Sequence, residues 1–175
     1  YVYLGSDDPK ISYSFNVGIE WNNFDLSAVF QGAAKRTIFR DKSNDNYRIP
    51  MRAAHLNSTT QSVGNVWSPD NRDGRYPTYT NISTINNYNY QCSSWSVENG
   101  NYLRLKSLTL GYNFPASLLS KTKAISRLRI YVSGADLWEV SKINDGWDPE
   151  ASRKVSGNGR FPFNRTCTVG LDVTF

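Results

Sequence analysis

The last strand-length stretch of this chain alternates apolar and polar residues and stops on an aromatic. Phe163, Cys167, Val169, Leu171, Val173 and Phe175 fall on one face of a period-two strand, interrupted only by Arg165. Thr166, Thr168, Gly170, Asp172 and Thr174 fall on the other. A strand with one apolar and one polar face separates two media. Lipid on one side and water on the other is the situation of a closing strand in an outer-membrane β-barrel.

Size does not force that reading, because 175 residues at 39% hydrophobic content suffice for a soluble core. No run approaches the roughly 18 apolar residues of a membrane helix, and Tyr1 opens no signal-like segment, so a helical membrane protein is not expected. Mean hydropathy is negative, which is uninformative for a barrel that gives half of each strand to a polar interior and adds wet loops. Aromatics at 14%, with 11 tyrosines, suit the girdles that barrels carry at both interfaces, and equally suit a sugar-binding β-sandwich. The net charge of +5 is dispersed and no nucleic-acid motif accompanies it, so no nucleic-acid partner is expected. Cys92 and Cys167 make no metal or redox spacing, and Cys167 takes an outward apolar position as a small hydrophobe. His55 has no Cys, Asp or Glu at ligand spacing. No metal, cofactor or catalytic triad is expected, and the chain does not read as an enzyme.

Working back from Phe175, whose end of the strand lies in the periplasm in such barrels, each strand acquires a direction. Segment 126–138 runs outward with Leu128, Ile130, Val132 and Gly134 toward lipid, opposite Arg127, Arg129, Tyr131 and Ser133. Segment 102–114 runs inward with Leu108, Leu110, Tyr112 and Phe114 toward lipid. Leu103 and Leu105 are out of phase with Leu108, which predicts a bulge or a change of environment near Lys106 and Ser107. Upstream, Ile11, Tyr13, Phe15, Val17, Ile19 and Trp21 alternate with polar residues. Asn22-Asn23 then reverses the chain, and Phe24, Leu26, Ala28 and Phe30 carry the apolar face back. The strands are thus expected at about 11–21, 24–34, 102–114, 126–138 and 162–175. Connections at 22–23 and 115–125 are short, whereas 35–101 and 139–160 are long. Short periplasmic turns and long extracellular loops are the rule for outer-membrane barrels, and one helical turn fits after Pro115. The fold class is therefore all-β, an antiparallel meander of about five transmembrane strands. Five strands cannot close a barrel, and an open edge in lipid leaves backbone groups unpaired, so the chain is expected to be a piece of a larger barrel.

Particular residues carry the reading further. From Tyr102-Leu103-Arg104-Leu105-Lys106 and Leu108-Thr109-Leu110-Gly111-Tyr112 with Pro115, through Leu128-Arg129-Ile130-Tyr131-Val132-Ser133-Gly134 and Asp148-Pro149-Glu150, to Gly170–Phe175, the order of motifs resembles the C-terminal end of the SusC-like (SusC/RagA) TonB-linked outer-membrane transporters of Bacteroidetes. Phe24-Asp25-Leu26-Ser27, Gln31-Gly32 and Trp67-Ser68-Pro69-Asp70-Asn71 extend the resemblance upstream more loosely. One departure is Asp136 before Leu137-Trp138, where the family usually has asparagine. The resemblance implies the C-terminal segment of a plugged barrel of the 22-strand class that imports oligosaccharides or peptides. It also implies as partners the rest of the barrel and its plug, a SusD-like surface lipoprotein, and TonB acting through an N-terminal region outside this chain.

Several residues stand out within that frame. Trp67, Tyr76, Tyr79, Tyr88, Tyr90 and Trp95 lie in the long segment 35–101 among Asn, Ser and Thr, and Trp147 flanks the last loop. They are candidates for contact with substrate or partner lipoprotein, or they hold the loop together. Lys35, Arg36, Arg40, Arg153, Lys154 and Arg160 are placed for phosphates of lipopolysaccharide or as ordinary solvated charge. Arg127 and Arg129 point into the lumen near the periplasmic end, where the family's plug sits, and counting along the last two strands pairs Arg129 with Asp172 or else leaves it to the plug. Asp145, Asp148 and Glu150 could bind calcium, against a simple Asp/Gly146 turn. The alternatives to a transporter wall are a soluble carbohydrate-binding β-sandwich and, further off, a hydrolase whose only carboxylate cluster lies in one short loop.

Overall fold

The computed structural model of the chain describes residues 2–39, 63–89, 91, 93–120, 124–143, 148–150 and 164–175. Those residues divide into two compact units, one drawn from 9–35, 101–142 and 163–175 and the other from 1–8, 36–100 and 143–162.

The first unit is a five-stranded antiparallel sheet, here β1 (Ile11–Trp21), β2 (Phe24–Ala34), β5 (Tyr102–Asn113), β6 (Arg127–Ser141) and β7 (Thr166–Thr174), in the order β1-β2-β5-β6-β7. The second holds a two-stranded ribbon, β3 (Thr37–Phe39) with β4 (Val97–Asn99), and the short helix α1 (Ser83–Asn89). Neighbours in the large sheet follow one another in sequence apart from the insertion between β2 and β5, so the sheet is a meander. Asn22 makes the first turn at φ 53°, a left-handed conformation asparagine tolerates. After Pro115, whose fixed φ suits a helix start, α2 (Ala116–Leu119) makes one turn before β6 and buries Leu119.

Register turns the alternation into layers. On one face Trp21, Phe24, Tyr112, Ile130 and Leu171 lie in one transverse row, followed by Ile19, Leu26, Leu110, Val132 and Val169 in the next. Phe15 and Phe30 stack at 4.7 Å, Phe24 meets Tyr112 at 4.8 Å, and Tyr112 meets Phe114 edge-on at 5.2 Å. On the opposite face Ser27, Thr109, Ser133 and Thr168 form a row of hydroxyls. Tyr13 lies over Gly32 on the apolar face and donates its hydroxyl proton to the Tyr102 carbonyl at 2.9 Å, an approach that a side chain at residue 32 would block. From Tyr13 to Trp21 the apolar face runs eight residues, about 27 Å along the strand, enough for the apolar band of a barrel.

Two bulges keep these layers in phase. Val29 pairs with Ser107 but Phe30 with Leu105, so Lys106 is the extra residue and Leu103 and Leu105 return to the apolar face. Next door Leu105 pairs with Trp138 and Ser107 with Ala135, so β6 inserts a residue of its own, with Asp136 at φ 56°. Leu137 folds back over Gly134. The strand bounds differ from the expected ones for the same reason. The bulge lets β6 run on to Ser141 along β5, three residues beyond 138, and pairing with β7 stops at Ala135–Thr166, so Asn164 and Arg165 are not in the strand. Phe163 lies outside the described residues. The asparagine the family prefers before Leu137 is the other residue, with aspartate, that accepts a left-handed backbone.

Asp136→Asn keeps the left-handed backbone and removes only the charge facing Lys106, so it should cost less than a β-branched residue there. Asp136→Val, β-branched at positive φ, should cost about 1–3 kcal/mol, read as a lower urea midpoint of tryptophan fluorescence for the full-length protein in detergent micelles.

Candidate functional site

Two constructions on the described residues bear on function, one on the polar face of the sheet and one in the second unit. On the polar face Arg129 sits directly between Asn113 and Asp172 on the flanking strands. Its Nη1 lies 3.1 Å from Asp172 Oδ2. Its Nε and Nη2 reach diagonally to Asp25, at 3.0 and 2.6 Å, a two-point grip on a carboxylate. Asn113 donates to the same Asp25 oxygen at 2.9 Å, and Arg127 Nη2 lies 3.4 Å from Asn113 Oδ1. The guanidinium also lies 5.0 Å from the centre of the Tyr131 ring. The sequence suggested Asp172 for Arg129 and missed Asp25, two strands away. That reach crosses Gly111, where a Cβ would stand 2.5 Å from Asp25 Oδ1 and 2.6 Å from Arg129 Nε. A glycine inside a strand is the signal of such a close crossing.

Nearer the other end of the same face, Arg104 is 1% exposed and grips Glu139 opposite it, with Nε 2.8 Å from Oε2. Asp136 Oδ1 lies 3.3 Å from Lys106 Nζ and 4.0 Å from Arg104 Nη1. The two bulge residues thus face each other as an ion pair, without hydrogen-bond geometry at that buried oxygen.

In the second unit, Arg36 is buried rather than presented to solvent. Its Nε donates to the Asp7 carbonyl at 2.8 Å, its Nη2 lies 3.5 Å from Asp7 Oδ1, and its Nη1 donates to the Pro149 carbonyl. Neither lipopolysaccharide contact nor solvated loop charge describes it, because its donors are spent on the chain. Lys35 is exposed, and Arg40, Arg153, Lys154 and Arg160 lie outside the described residues. Asp148 Oδ1 accepts the Glu150 N–H at 2.9 Å, which makes a turn of the Asp-Pro-Glu segment. Asp145, Gly146 and Trp147 lie outside the described residues, and among those described no group of three metal-ligating side chains occurs.

The same unit contains an open pocket of about 580 Å³ lined by Trp67, Ile85, Tyr88, Asn89, Gln91 and Trp95 with Pro77, Thr78 and Ser93. Helix α1 supplies Ile85, Tyr88 and Asn89, which at i, i+3 and i+4 share a helix face. Trp67 is fixed through its backbone, its N–H donating to the Tyr76 carbonyl at 2.7 Å and its C=O accepting from Thr78 Oγ1 at 2.9 Å. Trp95 is clasped by Arg75: its indole Nε1 donates to the Arg75 carbonyl at 2.7 Å, and Arg75 stands 5.9 Å from the ring centre with Nη2 3.2 Å from Glu98. Of the aromatics singled out by sequence, Trp67 and Trp95 are brought together here with Tyr88. Tyr76 serves through its backbone, Tyr79 is not a lining residue, and Tyr90 is outside the described residues. Ile85 and Asn89 escaped the sequence reading because Ser83–Asn89, rich in asparagine, has little helix propensity.

An antiparallel sheet with one broad apolar face, its Ile19, Trp21, Val132, Val169 and Leu171 all more than half exposed, and one face of hydroxyls and paired charges is the wall of an outer-membrane β-barrel. No protein-family model matches the chain. It is 31% identical over 98% of its length to TonB-dependent receptor P3 of Formosa agariphila, and 28% identical over 99% to TonB-dependent receptor P26 of the same organism. Solved structures of the RagAB peptide importer in its open-open state and of the RagAB peptide transporter match it with TM-scores of 0.69 and 0.72, at 25% and 24% identity, each over 98% of this chain and 18% of theirs. The chain is similar over nearly its whole length to TonB-dependent receptors, resembles the SusC-like transporters among them, and carries the sheet of an outer-membrane β-barrel. It spans 17% and 18% of the length of the two curated relatives. These relatives are receptors and transporters, not enzymes, and neither the hydrolase nor the soluble sandwich reading stands beside them.

Gly111→Ala forces Arg129 and Asp25 apart, so it should lower the urea midpoint of the full-length receptor about as much as Asp25→Ala does. The double variant should lose little more than either alone, whereas independent effects would add.

Proposed function

We propose that the chain forms part of the wall and the extracellular loops of a TonB-dependent transporter that imports oligosaccharides or peptides with a SusD-like surface lipoprotein. The observation that carries this reading is the likeness, over 98% of the chain, to RagAB structures described as a peptide importer and a peptide transporter. The pocket of aromatic and amide side chains supports it, because a mixed lining of that kind suits a polar organic solute better than an ion. The apolar face meets hydrocarbon. The polar face lines the lumen, where Arg127 and the Arg129 cluster are placed to meet a plug. The outer membrane holds no chemical energy of its own, so TonB supplies it by acting on that plug. Exposed Lys35 is left for lipopolysaccharide phosphate.

Deleting the gene in its native host is expected to abolish uptake of a fluorescent oligosaccharide or peptide pool, and a tagged full-length receptor should co-purify from the outer membrane with a stoichiometric lipoprotein. Unchanged uptake of both pools after deletion would refute the transport reading.

A further inference from the structure

We propose that the pocket built by Trp67, Tyr88, Trp95, Asn89 and Gln91 is a recognition site for an uncharged sugar ring, an inference that deepens the transport reading and rests on it.

The lining states the chemistry of the ligand. Trp67, Tyr88 and Trp95 are 41%, 74% and 51% exposed, so flat apolar faces are held open to solvent at a concave site. A sugar ring offers such faces a patch of axial C–H groups, and its rim offers hydroxyls that both donate and accept. The rim here is of matching type: the side-chain amides of Asn89 and Gln91, each with two donors and an acceptor, the hydroxyl of Ser93, and that of Thr78 as an acceptor, its proton going to the Trp67 carbonyl. No Asp, Glu, Lys or Arg lines the pocket among the described residues. A peptide terminus or a uronate carboxylate entering it would lose water without gaining an opposite charge, which disfavours charged ligands against neutral ones. Arg75, 5.9 Å from the Trp95 ring centre, is committed to Glu98 and to the Trp95 backbone carbonyl.

One of the plates, Trp95, is set in advance, and the backbone that carries Trp67 is held as well. Trp95 spends its one polar atom on the Arg75 carbonyl, so the indole is fixed on its edge and has only its face to give. Trp67 is pinned on both sides of its peptide by Tyr76 and Thr78. Stacking on a ring already held, as Trp95 is, costs less side-chain freedom on binding. A volume of about 580 Å³ falls within the usual range of small-molecule sites and accommodates more than one sugar unit.

The test uses the intact receptor, purified with its lipoprotein. Its probes are a mixture of neutral oligosaccharides from β-glucan, starch, xylan, mannan and fructan, a mixture of oligogalacturonates, and a tryptic peptide mixture. The expected result is binding and uptake from the neutral mixture alone, weakened about tenfold by Trp67→Ala and by Trp95→Ala and largely kept by Trp95→Phe, with unchanged heat-modifiable gel mobility showing that the barrel is intact. Peptide or oligogalacturonate uptake that falls with the same variants would overturn the sugar assignment and leave the transport reading standing. Neutral uptake untouched by both alanine variants would overturn the site, as would a loss confined to lipoprotein co-purification. If the intact receptor takes up none of the three mixtures, the transport reading fails together with this one.

Discussion

Everything in the sheet depends on keeping side-chain parity the same across five strands. One face meets hydrocarbon and the other water, so a slip of one residue between neighbours would exchange the two faces along a whole strand. The chain nonetheless contains a parity break in β5, where Leu105 and Leu108 both belong to the apolar face. A bulge is the only backbone device that absorbs it without losing strand pairing. Because β5 lies between two strands, inserting Lys106 disturbs both neighbours. β6 answers with an insertion of its own at Asp136, whose carboxylate meets the Lys106 ammonium. The two defects compensate in geometry and in charge, and β7 ends its pairing at the point where β6 bends.

Period-two alternation made the sheet legible, because a lipid-facing strand has no freedom to place polar residues outward. The bulge at Lys106 was legible too, as a phase error between Leu105 and Leu108. Its counterpart was not, since one aspartate at positive φ leaves no periodic trace. Arg36 was misread for a related reason: a cation just after an outward strand resembles a solvated loop charge, and nothing local announces that Asp7 and Pro149 will converge on it.

The candidate site divides the same way. Trp67 and Trp95 were visible as aromatics in a polar loop, but the sequence could not say that 28 residues of separation would close into one pocket, because the segments meet through Arg75 and the helix rather than through a repeating pattern. Asp25 as partner of Arg129 was hidden behind Gly111, although an unexplained glycine within a strand was the available clue.

The ionic clusters of the polar face cancel within themselves. Asp25 and Asp172 are matched by Arg127 and Arg129, and Asp136 and Glu139 by Arg104 and Lys106, so each cluster sums to zero formal charge. The chain as a whole carries +5, and none of that surplus resides in either group. Opposite charges held a few ångströms apart produce a field that dies away within roughly one Debye length, about 8 Å at physiological salt. Between them lies the row of Ser27, Thr109, Ser133 and Thr168. This stretch of the polar face presents hydroxyl dipoles and self-cancelling ion pairs, a surface that neither traps anions nor repels cations.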